Sequence, residues 1–99
     1  MARFDVYRQP DGTLVLDCQA DILNNLNTRF VVPLLRPEMA PDAVAARLNP
    51  VFEIDGEEVV MFTQFASALA KRELGEPITS LTDRHSTIMN ALDMLLVGY

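Results

Sequence analysis

Apolar and polar positions alternate from the start of the chain. Phe4 and Val6 are interleaved with Arg3, Asp5 and Tyr7, and a second strand-like run, Thr13, Leu14, Val15, Leu16, Asp17, follows Gln9-Pro10-Asp11-Gly12. An Asp-Gly pair between two such runs, with proline presetting φ ahead of it, predicts a β-hairpin. A polar, asparagine-rich stretch over residues 19–29 holds three aliphatic side chains, Ile22, Leu23 and Leu26. They are either anchors that pin a loop to its own core or a surface for contact. Phe30-Val31-Val32-Pro33-Leu34-Leu35 is β-branched and apolar, and Pro33, which cannot donate to a ladder, predicts an edge strand or a bulge. Residues 36–50 carry three prolines and are expected to form a loop with one helical turn at residues 42–47. Val51-Phe52-Glu53-Ile54, Asp55-Gly56 and residues 57–62 form the plainest hairpin in the chain.

The last third changes period. Residues 65–74 are rich in good helix formers, so propensity alone predicts a helix there, although sheet context can override propensity. Beyond Gly75-Glu76-Pro77, apolar residues Ile88, Met89, Leu92, Leu95, Leu96 and Tyr99 recur at helical spacing, Thr82 can cap and Asp83 suits a helix N-terminus. A helix is predicted over residues 83–97. Short strands followed by one terminal helix, without βαβ alternation or internal repeats, point to one small domain over residues 1–99, an antiparallel sheet or barrel with a helix packed on it.

The helix also contains an anomaly. Ala91, Met94, Val97 and Gly98 fall on azimuths outside the main stripe, so residues 92–99 are apolar nearly all round except at Asp93. One small core cannot absorb every side of such a helix. Either the chain dimerises through it, or its end is a docking surface, or the tail folds back on the core.

Composition narrows the chemistry. Fourteen acidic against eight basic side chains give a net charge of −6, which disfavours unaided binding to nucleic acid or an anionic membrane, so the natural partner is another protein. Cys18 is the only cysteine and His85 the only histidine. A disulfide within the chain is excluded, a reducing cytoplasm fits, and a Cys/His catalytic pair would require both of these lone residues. No cofactor motif, signal peptide or membrane span is legible. Glu53, Asp55, Glu57 and Glu58 cluster at a hairpin tip and read as solvated turn charge.

Asp5-Val6-Tyr7, Asp21-Ile22-Leu23, Val31-Val32-Pro33-Leu34 and the closing Asn90-Ala91-Leu92-Asp93-Met94-Leu95-Leu96-Val97-Gly98-Tyr99 together resemble the CcdB family of plasmid-addiction toxins. The likeness covers essentially the whole chain. It implies a mainly β fold with an SH3-like small barrel, an antiparallel sheet plus a smaller sheet, and a C-terminal helix, with residues 68–74 as a strand rather than a helix. It further implies a homodimer that traps the DNA gyrase A subunit on cleaved DNA, and a cognate antitoxin that neutralises the toxin. Toxin and antitoxin together would repress their operon, so DNA is met only through that complex. Carried over by position, the gyrase-binding residues would be Ile22, Leu23 and Asn24 in the loop and Asn90, Asp93, Leu96, Val97, Gly98 and Tyr99 on the helix end. Both apolar anomalies fall within that set. The sequence departs from the best-known family member, which has tryptophan at the position of Val97, asparagine at that of Asp93 and isoleucine at that of Tyr99. Without the indole, a ring able to stack on a guanidinium is lost there, and Tyr99 offers the nearest replacement. An endoribonuclease toxin of the same barrel type, which would need a basic RNA groove and an acid/base pair, and an inactive toxin homologue are the alternative readings.

Overall fold

The computed structural model describes residues 2–40 and 46–98. Its strands are β1 (Asp5–Arg8), β2 (Leu14–Asp17), β3 (Thr28–Leu35), β4 (Val51–Ile54), β5 (Glu57–Met61), β6 (Ser67–Ala70) and β7 (Pro77–Ser80), followed by one helix, α1 (His85–Val97). All pairings are antiparallel. The strands lie in the order β4-β5-β3-β2-β1-β7, with β6 branching from β3. The fold is mainly β, a curled antiparallel half-barrel with a C-terminal helix, and the smaller sheet is a branch of the larger one.

Both predicted hairpins form, with different turns. At the first, Gly12 takes φ +92°, its N–H donates to Gln9 O (2.8 Å), and Gln9 N donates to Thr13 O (2.7 Å). This is a three-residue loop closed by a glycine bulge. Asp11 Oδ1 accepts from Thr13 N (2.9 Å), which holds that exposed carboxyl below its usual range. In the second hairpin Ile54 pairs with Glu57, and Asp55 (φ +53°) and Gly56 (φ +82°) are both left-handed. That is a two-residue turn of the type whose twist matches the strands.

The longest strand, β3, organises the sheet. One edge pairs with β2 from Val31 to Leu34; the other pairs with β6 over Thr28 to Val31 and with β5 at Leu34 and Leu35. Pro33 therefore lies in a central strand, at the point where the second edge changes partner, rather than on an edge or in a bulge. Its carbonyl still accepts from Phe62 N (2.9 Å), while the Phe62 carbonyl accepts instead from Phe65 N (2.9 Å), in the 3₁₀ turn Thr63–Phe65. The missing proline donor coincides with the fork, so a central strand accommodates it.

Helix propensity fails over residues 65–74. Ser67–Ala70 are strand β6, because β3 offers an open edge, and the chain then leaves the ladder in a 3₁₀ turn at Lys71–Glu73. The strand implied for residues 68–74 thus ends at Ala70. Strand β7 pairs with β1, with a register shift between Val6 and Tyr7, and was not foreseen in the sequence. Helix α1 starts at His85, preceded by a 3₁₀ turn at Thr82–Arg84. Thr82 does not cap it: its N–H donates to Ser80 Oγ (3.2 Å) as the chain turns out of β7. The described part of residues 36–50 has a 3₁₀ turn at Pro37–Met39; the helical turn expected at residues 42–47 lies mostly outside the described residues.

Strand alternation buries both sheet faces. Val6, Leu16, Cys18, Val32 and Leu34 share one face with Phe52, Ile54, Val59 and Met61, and Ile88, Ala91 and Leu92 of α1 complete this main core. Tyr7, Val15 and Val31 point to the opposite face, under Leu69 and Leu74. No helix among the described residues is long and apolar enough to cross a membrane.

Because Gly56 needs φ +82°, Gly56→Ala should cost about 1–2 kcal/mol. Asp55→Asn, which tolerates the left-handed region, should stay within about 0.5 kcal/mol of the parent. Urea unfolding midpoints measure both; equal midpoints for parent and Gly56→Ala would refute this reading of the turn.

Candidate functional site

The core stripe of α1 runs through Ile88, Ala91, Leu92 and Leu95, spaced at i, i+3, i+4 and i+7. The first three are buried, but Leu95 is exposed because the core ends beneath Leu92. Asn90, Asp93 and Val97, at i, i+3 and i+7, lie on the opposite side, and all three are exposed. Leu96 stands between the two sides. Its exposure is 69% and that of Val97 is 60%, so neither folds back on the main core. Gly98 ends the helix with φ +85°, its N–H donating to Asp93 O and Met94 O (3.2 Å each), a left-handed C-cap that costs glycine little. Tyr99 lies outside the described residues.

The polar loop over residues 20–27 presents the second group. A 3₁₀ turn at Asp21–Leu23 buries none of its three side chains. Ile22 is 88% exposed and Leu23 45% exposed. Ile22 is therefore no anchor to the chain's own core, while Leu23 and Leu26 are each about half covered.

Polar side chains shape this loop from beneath. Asp17, on β2, and Arg29, on β3, are both fully buried and point to the face shared by Tyr7, Val15 and Val31. Arg29 Nε donates to Asp17 Oδ2 (2.9 Å), and Arg29 Nη2 lies 2.6 Å from the same oxygen. Asp17 Oδ1 accepts from Gln19 N (3.0 Å). The remaining arm of the guanidinium, Nη1, donates to Asn24 Oδ1 (2.6 Å). Gln19 spans the neck of the loop: its Nε2 donates to Leu23 O (3.1 Å) and its Oε1 accepts from Phe30 N (3.0 Å). The side-chain oxygen of Asn24 is therefore engaged within the protein, while Ile22 and Leu23 face outward. Tyr7 sits in the same layer, and burial, reinforced by the carboxylates of Asp5 and Asp17, pushes its hydroxyl up to about 12.

Arg3 joins the loop to the helix. Its backbone N–H donates to Asp21 Oδ1 (2.8 Å), its Nη2 to Met89 Sδ (3.1 Å), and its guanidinium lies over the Phe4 ring at 4.8 Å. The loop and the helix that carry the two candidate groups are thus both contacted by one residue, Arg3, the loop through its backbone and the helix through its side chain. Sequence reading missed Asp17, Gln19, Arg29 and Arg3. The one available signal was that Asp17 and Arg29 occupy strand positions on either side of apolar neighbours.

Cys18 and His85 do not form a nucleophilic pair suited to neutral pH. Burial, with the Asp17 charge adding and Arg3 opposing, pushes the Cys18 thiol up to about 12, which leaves little thiolate. His85 is exposed at the start of α1, its ring edge-on to Phe4 at 5.4 Å. Glu53, Asp55, Glu57 and Glu58 are all exposed around the second hairpin tip, as solvated charges.

Buried neutral acids have a definite effect on alkaline stability. Cys18 and Tyr7 hold their protons to about 12 when folded, against ordinary values of 9.0 and 10.0, so the unfolded chain loses them first. Their contribution is complete below about pH 9 and declines as pH climbs toward 12, at up to about 1.4 kcal/mol per pH unit for each group. Urea midpoints measured from pH 8 to 10.5 should fall, and Cys18→Ala should flatten the slope between pH 9 and 10. An unchanged slope in that variant would show that Cys18 titrates normally.

Residues 3–98 match the family model described as CcdB protein.

Proposed function

The chain belongs to the CcdB family, and on that premise we propose that this toxin of a toxin–antitoxin module acts by capturing DNA gyrase through its A subunit and holding the enzyme on cleaved DNA. The observation that carries the reading is the exposed apolar pair Leu96 and Val97 at the end of α1, a helix whose Met89 is contacted by Arg3, which also binds Asp21 of the loop that leaves Ile22 in solvent. An exposed apolar group with the polar side chains of Asn90 and Asp93 on the same helix turns has the make-up of a protein-binding surface. The net charge of −6 suits a protein partner better than an RNA groove, which weighs against the endoribonuclease reading.

The mechanism is binding rather than bond-making. A homodimer would present two such surfaces about a two-fold axis, and a two-fold gyrase could engage both at once, the second contact becoming intramolecular after the first. A ligand that binds the cleaved state more tightly than the resealed state shifts the enzyme's cycle toward breaks by that difference in affinity alone. Ile22, Leu23, Asn24, Asn90, Asp93, Leu96, Val97, Gly98 and Tyr99 form the proposed contact set. Asn24 contributes its amide nitrogen, because its side-chain oxygen is held by Arg29. With valine at position 97, contact there is aliphatic packing in place of ring stacking. A cognate antitoxin would neutralise the toxin in the cytoplasm, and the pair would repress their own operon.

Leu96→Asp and Val97→Asp alter exposed positions, so each should leave stability within about 0.5 kcal/mol of the parent. Both should abolish growth arrest on expression and retention by a gyrase A fragment. Arrest relieved by a resistant gyrase identifies the target, whereas arrest that persists in both variants rules out the helix end. A parent chain that neither arrests growth nor binds the fragment is an inactive homologue.

Sedimentation at micromolar concentration should show a dimer. A monomer would remove the symmetric arrangement.

A further inference from the structure

Lys71 is far from the loop in sequence and adjacent to it in space. It opens the 3₁₀ turn Lys71–Glu73 directly after β6, whose last pair, Thr28 with Ala70, fixes the start of that turn against β3. From there its backbone N–H donates to Asn27 O (2.7 Å) and its Nζ donates to Asn24 O (2.9 Å). Asn24 is consequently held by two cations: the ammonium on its carbonyl and the Arg29 guanidinium on its side-chain oxygen (2.6 Å).

A loop whose 3₁₀ turn buries no side chain, and whose Leu23 and Leu26 are each only about half covered (45% and 47% exposed), has little apolar packing to set its shape. Charge-assisted hydrogen bonds are the strong contacts available to it. The Arg29 contact approaches from inside the sheet, and the Lys71 contact from the neighbouring branch. Asn24 lies two residues beyond Ile22, so whatever fixes its carbonyl also fixes the direction in which Ile22 and Leu23 project. A loop already held in its binding shape loses less conformational freedom when a partner docks.

We propose that Lys71 is a positioning residue: its ammonium on Asn24 O and its backbone N–H on Asn27 O clamp the loop over residues 20–27 in the shape that displays Ile22 to the gyrase A subunit. The inference rests on the functional reading above, but the clamp itself exists without any partner. The fork in the sheet thereby serves the site, because β6 delivers the clamp to a loop that ends where β3 begins, beside the Thr28–Ala70 pair.

Lys71→Met keeps most of the aliphatic stem and removes the charge, and Lys71→Arg restores a cation. Hydrogen exchange on the free protein should show amides of residues 22–26 exchanging about tenfold faster in Lys71→Met, with β1, β2 and β3 unchanged and with Lys71→Arg near the parent. Binding to a gyrase A fragment should weaken severalfold in Lys71→Met and recover in Lys71→Arg. In an Ile22→Ala background, Lys71→Met should cause no further loss. Parent-like exchange at residues 22–26 in Lys71→Met would overturn the clamp. An undiminished loss in the Ile22→Ala background would also overturn the proposal, since Lys71 would then be acting on gyrase directly. If the parent fails to bind the fragment, the gyrase reading falls, and the positioning role toward gyrase with it, while the exchange measurement still decides the clamp.

Discussion

Asp17 and Arg29 meet where water does not reach, and the arrangement of the loop depends on that meeting. A buried ion pair gains little over apolar residues of the same volume, but removing one member strands the other at a cost of about 3–5 kcal/mol. Here the carboxylate is fully occupied: one oxygen takes the backbone of Gln19 and the other faces two nitrogens of the guanidinium. The same guanidinium extends its third nitrogen to Asn24. The pair thus joins the end of β2, the start of β3 and the intervening loop, three pieces of chain that apolar packing alone would leave free to slide.

Much of the fold was legible in the sequence because its signals are local. The turns carry their conformation in two or three adjacent residues, Pro10-Asp11-Gly12 at the first and Asp55-Gly56 at the second, and the spacing of Ile88, Leu92 and Leu95 marks a helix in the sequence itself. Residues 65–74 were illegible for the opposite reason. Their helix propensity amounts to tenths of a kcal/mol per residue, while an unfilled edge on β3 offers a whole ladder. Pro33 misled similarly, since its lost donor matters only if a partner strand awaits it, and at the fork the Phe62 carbonyl turns to Phe65 instead.

The candidate site was legible in part. Exposed aliphatic residues at Ile22 and on the last turn of α1 stand out against a composition with too many apolar side chains for one helix face. The contact proposed to position Ile22 was hidden, because Lys71 and Asn24 are 47 residues apart and an isolated lysine after a run of small residues looks like any solvated charge. Asn24 shows the limit of assigning a role by position: its side-chain oxygen is turned inward to Arg29 rather than outward.

The pairing of β1 with β7 brings residues 5–8 against residues 77–80. Such a contact closes a long loop of chain and delays folding, since the entropy of closure is lost before any contact compensates for it. During synthesis, β1, β2 and β3 can assemble while the seventh strand and the helix beyond it are still being made. A ribosome-bound fragment lacking β7 and α1 would therefore be an open, incomplete sheet, and the contact proposed for the end of α1 could form only after that helix has emerged and docked on the sheet.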